Sequence, residues 1–386
     1  MRVLVITNLF PNSLAPRVAS FNRQQFAALG KLCQVEVLAT VPWYPGQHLL
    51  GRFAKHKVAS AVPKQEIIDG LTVYHPRTLH LPKIGTSIAT PLFAASLAPL
   101  VARYRSKIDI VLAAWAHPDG CAAVLLAKML GVPVVVKVHG TDINSVAQQS
   151  GPRRVMRALL PKADGLVAVS SALGKKLELL GVESKRIHLI MNGVDDKVFH
   201  VRDRKQARVE LGLPVDAKIA LYIGNMIEAK GIVDLHRAFQ SITDANPDIH
   251  LYCVGDGNQR AQLSAKAPAR MTFVGSQPFE KIPQWLAACD LLVLPSWNEG
   301  TPNVVLEALA CGRRVLASDV GGIPDLLRDP KLGAMVAPKA HAELANLLPS
   351  QLRQPYDANE VAAIGSRGNW QQSATELHTL LHSCLA

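Results

Sequence analysis

Hydrophobic and polar positions fall along this chain in blocks. Continuous apolar runs of five to seven residues, rich in Val, Ile and Leu, recur between helical stretches. In the first half they are Arg2–Thr7, Val35–Thr40, Asp109–Trp115, Pro133–Val138 and Leu166–Ser170. In the second half they are Ile187–Met191, Lys218–Gly224, His250–Gly255, Met271–Gly275, Leu291–Pro295 and Arg314–Ser318. Unbroken apolar strands alternating with helices predict parallel sheets buried on both faces. Two such sets predict two Rossmann-like, doubly wound α/β domains. The Asn192-Gly193-Val194-Asp195 turn and the polar stretch after it place the hinge there, giving domains of about 1–190 and 191–369. Between Pro42 and Pro91 the pattern is irregular and rich in Pro, His and Lys, which predicts loops and small hairpins.

Length agrees with this division, because 386 residues exceed what one core of about 250–300 residues holds. No apolar run approaches the ~18 residues a membrane-spanning helix needs. The opening MRVLVITNLF reads as a first strand, not a signal peptide. Six scattered cysteines, at 33, 121, 253, 289, 311 and 384, form no Cys-x-x-Cys pair and suggest core residues in a reducing cytoplasm. The net charge of +12 is uneven. Residues 1–200 carry 24 Lys and Arg against 11 Asp and Glu, and residues 201–386 carry 18 against 19. A basic half suits an anionic membrane leaflet or an acidic substrate. Nucleic acid is not expected, since no helix-turn-helix, zinc-finger or aromatic RNA-binding pattern accompanies the charge.

The candidate chemistry concentrates in Leu291–Leu327. A buried strand is followed by a polar loop, Ser296–Gly300, that carries Glu299. A helix is expected to open there, with Thr301 as N-cap and Pro302 at its first position. Its amides and dipole would face the carboxyl edge of a strand, where phosphorylated ligands bind in open α/β sheets. Glu307 shares a helix face with Asn303, one turn further in. Glu299 and Glu307 are therefore placed to grip two different hydroxyl-bearing ends of one ligand with a diphosphate between them.

Glu299, seven residues, Glu307, then Ala-Leu-Ala-Cys-Gly and Gly-Gly-Ile-Pro-Asp resembles the signature of retaining family-four glycosyltransferases. The wording is especially similar to bacterial enzymes of teichuronic acid and exopolysaccharide synthesis. The resemblance implies a GT-B fold, with two Rossmann-like domains facing across a cleft, the acceptor on the side of the first domain with the irregular Pro42–Pro91 region over it, and a last helix near 370–386 that crosses back onto that domain. It assigns Glu307 to the ribose, Glu299 to the donor sugar, and His139, at the end of an apolar strand, to a sugar hydroxyl. Lys230 matches the lysine that holds the donor diphosphate. Asn225 stands where the family usually has an Arg, which removes a bidentate cation. Thr301, Pro302 and Asn303 fall at the phosphate end of the motif, and Gly275 falls in the loop that cradles the nucleobase. Ala19 and Ser20 replace glycines that the family often has after its first strand.

No two of the 30 acidic residues stand at i and i+2, so no Asp-x-Asp pair is available for a Mg²⁺–diphosphate. Neither a metal nor a cofactor is expected. The reading is a retaining, cytoplasmic glycosyltransferase, peripheral to the membrane if the basic half docks there. Its donor would be a UDP-sugar, with a GDP-sugar as the alternative, and its acceptor a glycan or a polyprenyl-linked sugar. The rivals are another GT-B activity, such as a nucleotide-sugar epimerase, and an inactive nucleotide-sugar-binding scaffold, which Asn225 would favour.

Overall fold

The computed structural model describes residues 1–16, 18–44, 61–81 and 88–385. The chain forms two compact units, Met1–Gly193 with Trp370–Ala386, and Val194–Asn369.

The first unit contains β1 (Arg2–Thr7), β2 (Gln34–Ala39), β3 (Val41–Trp43), β4 (Gln65–Ile68), β5 (Leu71–Tyr74), β6 (Arg77–Leu79), β7 (Ile110–Ala113), β8 (Val134–Val138), β9 (Gly165–Ala168) and β10 (Ile187–Leu189). Among the described residues, eight of these form one sheet in the order β10-β9-β8-β7-β1-β2-β5-β4, parallel except for β4 against β5. Side chains alternate across it. Leu4, Ile6, Val136 and Val138 enter the core on one face, and Val3, Val5, Val135 and Val167 enter the core on the other. Both faces are buried, which is why these strands read as unbroken apolar runs. Helix Trp370–Ser383 lays Ala374, Leu377 and Leu381 onto the second face beside Phe26 and Leu29 of helix Ser20–Leu29.

Two sequence expectations change here. The strand beginning at Ile187 was grouped with the second half, but it pairs with β9 at the edge of the first sheet. An apolar run shows that a strand exists and is silent on which sheet will pair with it. The irregular region holds the small hairpin expected of it, but its strands also extend the sheet and pair in parallel. β4 and β5 form a hairpin through Asp69 and Gly70, and β5 extends the main sheet beside β2, while β3 and β6 make a separate parallel pair.

The second unit contains β11 (Lys218–Ile223), β12 (Ile249–Val254), β13 (Met271–Gly275), β14 (Leu291–Leu294), β15 (Arg314–Ser318) and β16 (Gly333–Val336). Its sheet is parallel throughout, in the order β13-β12-β11-β14-β15-β16. In each sheet the strand order reverses once, between β1 and β7 in the first and between β11 and β14 in the second. Such reversals open a crevice outside the carboxyl ends of the strands, because the two flanking connections leave towards opposite faces.

Candidate functional site

In the second unit the loops after β11 and β14 border the crevice. Lys230 ends the short turn Glu228–Lys230 after β11, and Glu299 lies in the loop after β14. Their side chains meet, Lys230 Nζ donating to Glu299 Oε1 at 2.7 Å, with Glu299 only 8% exposed. The backbone around them is held closely. Trp297 N donates to the Ala229 carbonyl at 3.0 Å, and its indole Nε1 to Asp234 at 2.7 Å. Gly231, at φ +70°, lies so near the Pro295 carbonyl that a Cβ there would stand 1.9 Å from its oxygen. Gly321, at φ +59°, would bring a Cβ to 2.0 Å from the Glu299 carbonyl, and Gly322 N donates to the Gly300 carbonyl at 2.6 Å. The Gly-Gly turn of the sequence motif is thus the brace for the Glu299 loop.

The helix that follows starts later than expected. It spans Asn303–Ala310, and Pro302 is its N-cap, in an extended conformation with ψ 114°. Thr301 is not the cap. Pro302 has no N–H, so the first-turn amides of this helix belong to Asn303 and Val304. Glu307 lies four residues into the helix. Burial alone pushes its carboxyl up to about 7, because no charge or hydrogen bond compensates for lost water.

Asn225 is exposed. Its backbone carbonyl accepts from the Tyr222 hydroxyl at 2.8 Å and from Ile227 N at 2.9 Å. Gly275 ends β13 at φ +87°, and its carbonyl accepts from Gly255 N at 3.0 Å. The Arg260 guanidinium lies against Gly275 and pairs with Asp256 at 3.2 Å.

The first unit's crevice is laced by two buried aspartates that sequence reasoning did not single out. Asp119, after β7, accepts from Asn8 N after β1 at 2.5 Å. Asp142, after β8, accepts from Ala116 N at 3.1 Å, Gly140 N at 2.8 Å, His139 N at 3.2 Å and Ile143 N at 3.1 Å. Three neighbouring strand ends are tied together in this way. Burial pushes the Asp119 carboxyl up to about 8 and raises Asp142 despite its four donors. His139 stands on the backbone that Asp142 holds, with its ring 4.7 Å from that of Phe21. Its Nε2 is buried and unpartnered, and burial with nearby Lys137 keeps the imidazole neutral, well below its ordinary range. Lys137 is wholly buried, donates to Gln25 Oε1 at 2.5 Å and Asn192 Oδ1 at 3.3 Å, and is pushed down to about 7 by burial. The lysine that interrupts the apolar run VVVKV is the one sign of this arrangement in the sequence.

Comparison with known proteins decides the family. A model described as "Glycosyltransferase Family 4" matches residues 24–198, and one described as "Glycosyl transferases group 1" matches residues 217–353. The chain belongs to the family-four glycosyltransferases. It is 29% identical over 365 residues to a Bacillus subtilis (strain 168) protein named for teichuronic acid biosynthesis, TuaC, covering 90% of this chain and 88% of that one. It is 30% identical over 236 residues to N-acetyl-alpha-D-glucosaminyl L-malate synthase of Bacillus anthracis, covering 59% and 61%. Among solved structures, HepE from Anabaena in complex with UDP superposes with a TM-score of 0.72 at 20% identity, covering 99% of this chain and all of that one. The fold is GT-B.

On this glycosyltransferase the basic surface is simpler than its sequence suggested. In helix Ser150–Leu159, Arg153, Arg154 and Arg157 are exposed, while Val155 and Leu159 pack against the core with Met156 and Leu160. Its large apolar residues face inward, so what the helix offers a membrane is chiefly its three arginines. A second basic segment of the sequence, Arg52-Phe53-Ala54-Lys55-His56-Lys57, lies outside the described residues. Among the described residues no helix is long and apolar enough to cross a membrane, and no group of three or more His, Cys, Asp or Glu is placed to hold a metal.

Proposed function

We propose that this glycosyltransferase moves a sugar from a UDP-sugar to a glycan or polyprenyl-linked acceptor, with retention at the anomeric carbon, in cell-surface polysaccharide synthesis. The observation that carries the reading is the Lys230–Glu299 pair, which joins the two loops flanking the reversal in the second sheet. A lysine beside a crevice that receives a helix N-terminus suits a diphosphate, and the buried carboxylate beside it suits sugar hydroxyls. Glu307 is a carboxyl in need of donors, which a ribose diol supplies. HepE has been solved with UDP and with UDP-glucose, which supports uridine as the base.

Lys230 and the amides of Asn303 and Val304 stabilise the leaving diphosphate, with no metal taking part. Glu299 orients the sugar, and His139 of the first unit offers a neutral imidazole to one of its hydroxyls. In the reaction the acceptor hydroxyl oxygen bonds to the anomeric carbon as the bond from that carbon to the phosphate oxygen breaks. That phosphate oxygen takes the hydroxyl proton, so attack and departure share one face and configuration is kept. Positioning supplies most of the acceleration. A thermal-shift panel of UDP, GDP, ADP and their sugars tests the donor. UDP at a hundred times its Kd should stabilise by about 2.7 kcal/mol. Stabilisation by GDP or ADP alone overturns the choice of base. Conversion of a UDP-sugar to its epimer without acceptor overturns the transferase reading.

A further inference from the structure

Beside the Lys230–Glu299 pair stands a tryptophan held at its edge and on its face by opposite charges. Trp297 comes two residues before Glu299, in the loop after β14, and is half-buried. Its indole Nε1 donates at 2.7 Å to Asp234 Oδ2, in the first turn of helix Ile232–Ile242. The Lys339 ammonium, from the loop between β16 and helix His341–Arg353, lies 4.3 Å from the centroid of the indole ring. An indole is positive at its N–H edge and negative on its face, so each charge meets the part of the ring that suits it. The two contacts also reinforce each other, because a carboxylate accepting the N–H pushes electron density onto the face that Lys339 covers.

Packing alone does not account for this arrangement. Asp234 is 6% exposed, and one bond from a neutral N–H, with the positive end of its helix, offsets only part of what a carboxylate loses on leaving water. Lys339 is exposed and holds a left-handed backbone, φ +67°, which a residue with a Cβ adopts at a cost. Both costs converge on one side chain, and the backbone of that residue joins the two loops of the site. Trp297 N donates to the Ala229 carbonyl at 3.0 Å, and Ala229 directly precedes Lys230. The gripped residue is therefore one position from Lys230 across that bond and two from Glu299 along the chain. A swing of the indole would displace both.

We propose that Asp234, Trp297 and Lys339 act together as positioning residues for sugar transfer, fixing the indole and with it the separation and direction of Lys230 and Glu299. In this role none of the three touches the donor. The proposal rests on the reading above, in which Lys230 holds the diphosphate and Glu299 the sugar.

The test uses the full-length protein and follows the Trp297 Nε1–H resonance, assigned by its loss in Trp297→Phe. UDP affinity is measured by calorimetry, and turnover as UDP released from UDP-glucose, UDP-galactose and UDP-N-acetylglucosamine with water as the acceptor. Lys339 is exposed, so Lys339→Met perturbs the triad without threatening the fold. That variant should move the indole resonance and lower UDP release about three- to fivefold, the loss expected of one cation–π contact, with UDP affinity and melting temperature unchanged. Lys339→Arg keeps a cation over the ring and should restore the parent rate. Asp234→Asn should lower release by a similar factor, and the double variant Asp234→Asn/Lys339→Met should lose less than the product of the two. Unchanged release in Lys339→Met, no rescue by Arg, or losses that simply multiply overturn the proposal. So does a fall in UDP affinity equal to the fall in release, because the triad would then serve binding and not transfer. A parent that binds no UDP overturns the donor assignment, and one that binds UDP but releases it from no sugar overturns the transferase reading; the role of the triad falls with either.

Discussion

Glu307→Gln should make the ligand-free protein more stable and a poorer binder of nucleotide. The carboxyl is raised from its ordinary 4.5 to about 7 by burial alone. At about 1.4 kcal/mol per pH unit, that displacement corresponds to up to about 3 kcal/mol. The direction follows from proton counting. Between pH 4.5 and 7 the folded state holds a proton that the unfolded state has released, so stability is fully present below pH 4.5 and is lost as pH rises through 7. Glutamine has the same shape and never ionises, so the variant avoids that loss. At pH 8 its second unit should melt roughly 6–12 °C higher than the parent's, and at pH 4.5 the two should coincide. Calorimetry at both pH values measures this. Titration with UDP at pH 8 should show the opposite sign, because an amide cannot accept two ribose hydroxyl bonds, and affinity should fall by about 1–3 kcal/mol. A variant that melts lower at pH 8, or higher by equal amounts at both pH values, refutes the burial argument. Unchanged UDP affinity refutes the ribose assignment.

Glu299→Ala and His139→Ala should depress turnover much more than UDP affinity, since both are assigned to the sugar, and an equal loss of UDP binding would move either residue out of that role. Activity should survive EDTA, with no specific response to added Mg²⁺; abolition by chelator and restoration by one divalent ion would refute the metal-free account. The protein should co-sediment with anionic liposomes at low salt and be released by high salt or neutral lipid. Because the exposed cations of helix Ser150–Leu159 are Arg153, Arg154 and Arg157, changing the three together to Ala should weaken binding by about 1 kcal/mol each. Sedimentation that persists at high salt would instead indicate apolar insertion.

The sequence was most informative where one residue type has one physical use. Apolar runs marked the strands of both sheets because both faces of those sheets are buried, and the Gly-Gly turn at 321–322 was legible because little else fits so near another backbone. Contacts between distant residues were not legible. Nothing in the sequence joins Lys230 to Glu299, 69 positions apart, or shows that Asp119 and Asp142 close one crevice. Short edge strands were harder to see: Gln65–Ile68 begins on polar residues, and Gly333–Val336 is apolar but only four residues long and poor in β-branched side chains. The helix starts one residue later than the preference of Pro for the first helical position predicts, because Pro302, at ψ 114°, is still extended and stands just before it.

The chain leaves the first unit at Gly193 and returns to it at Trp370, which has a consequence for synthesis. Residues 194–369 are continuous and can close their sheet as soon as they emerge from the ribosome. The first unit is translated earlier but lacks one wall until residues 370–385 arrive, since Ala374, Leu377 and Leu381 cover the same core as Val3 and Val5. Its apolar face therefore stays uncovered through the synthesis of the whole second unit, at about 5–20 residues per second. For this protein the unit made first is the one completed last, and a nascent chain stalled anywhere in the second unit presents that bare face to chaperones.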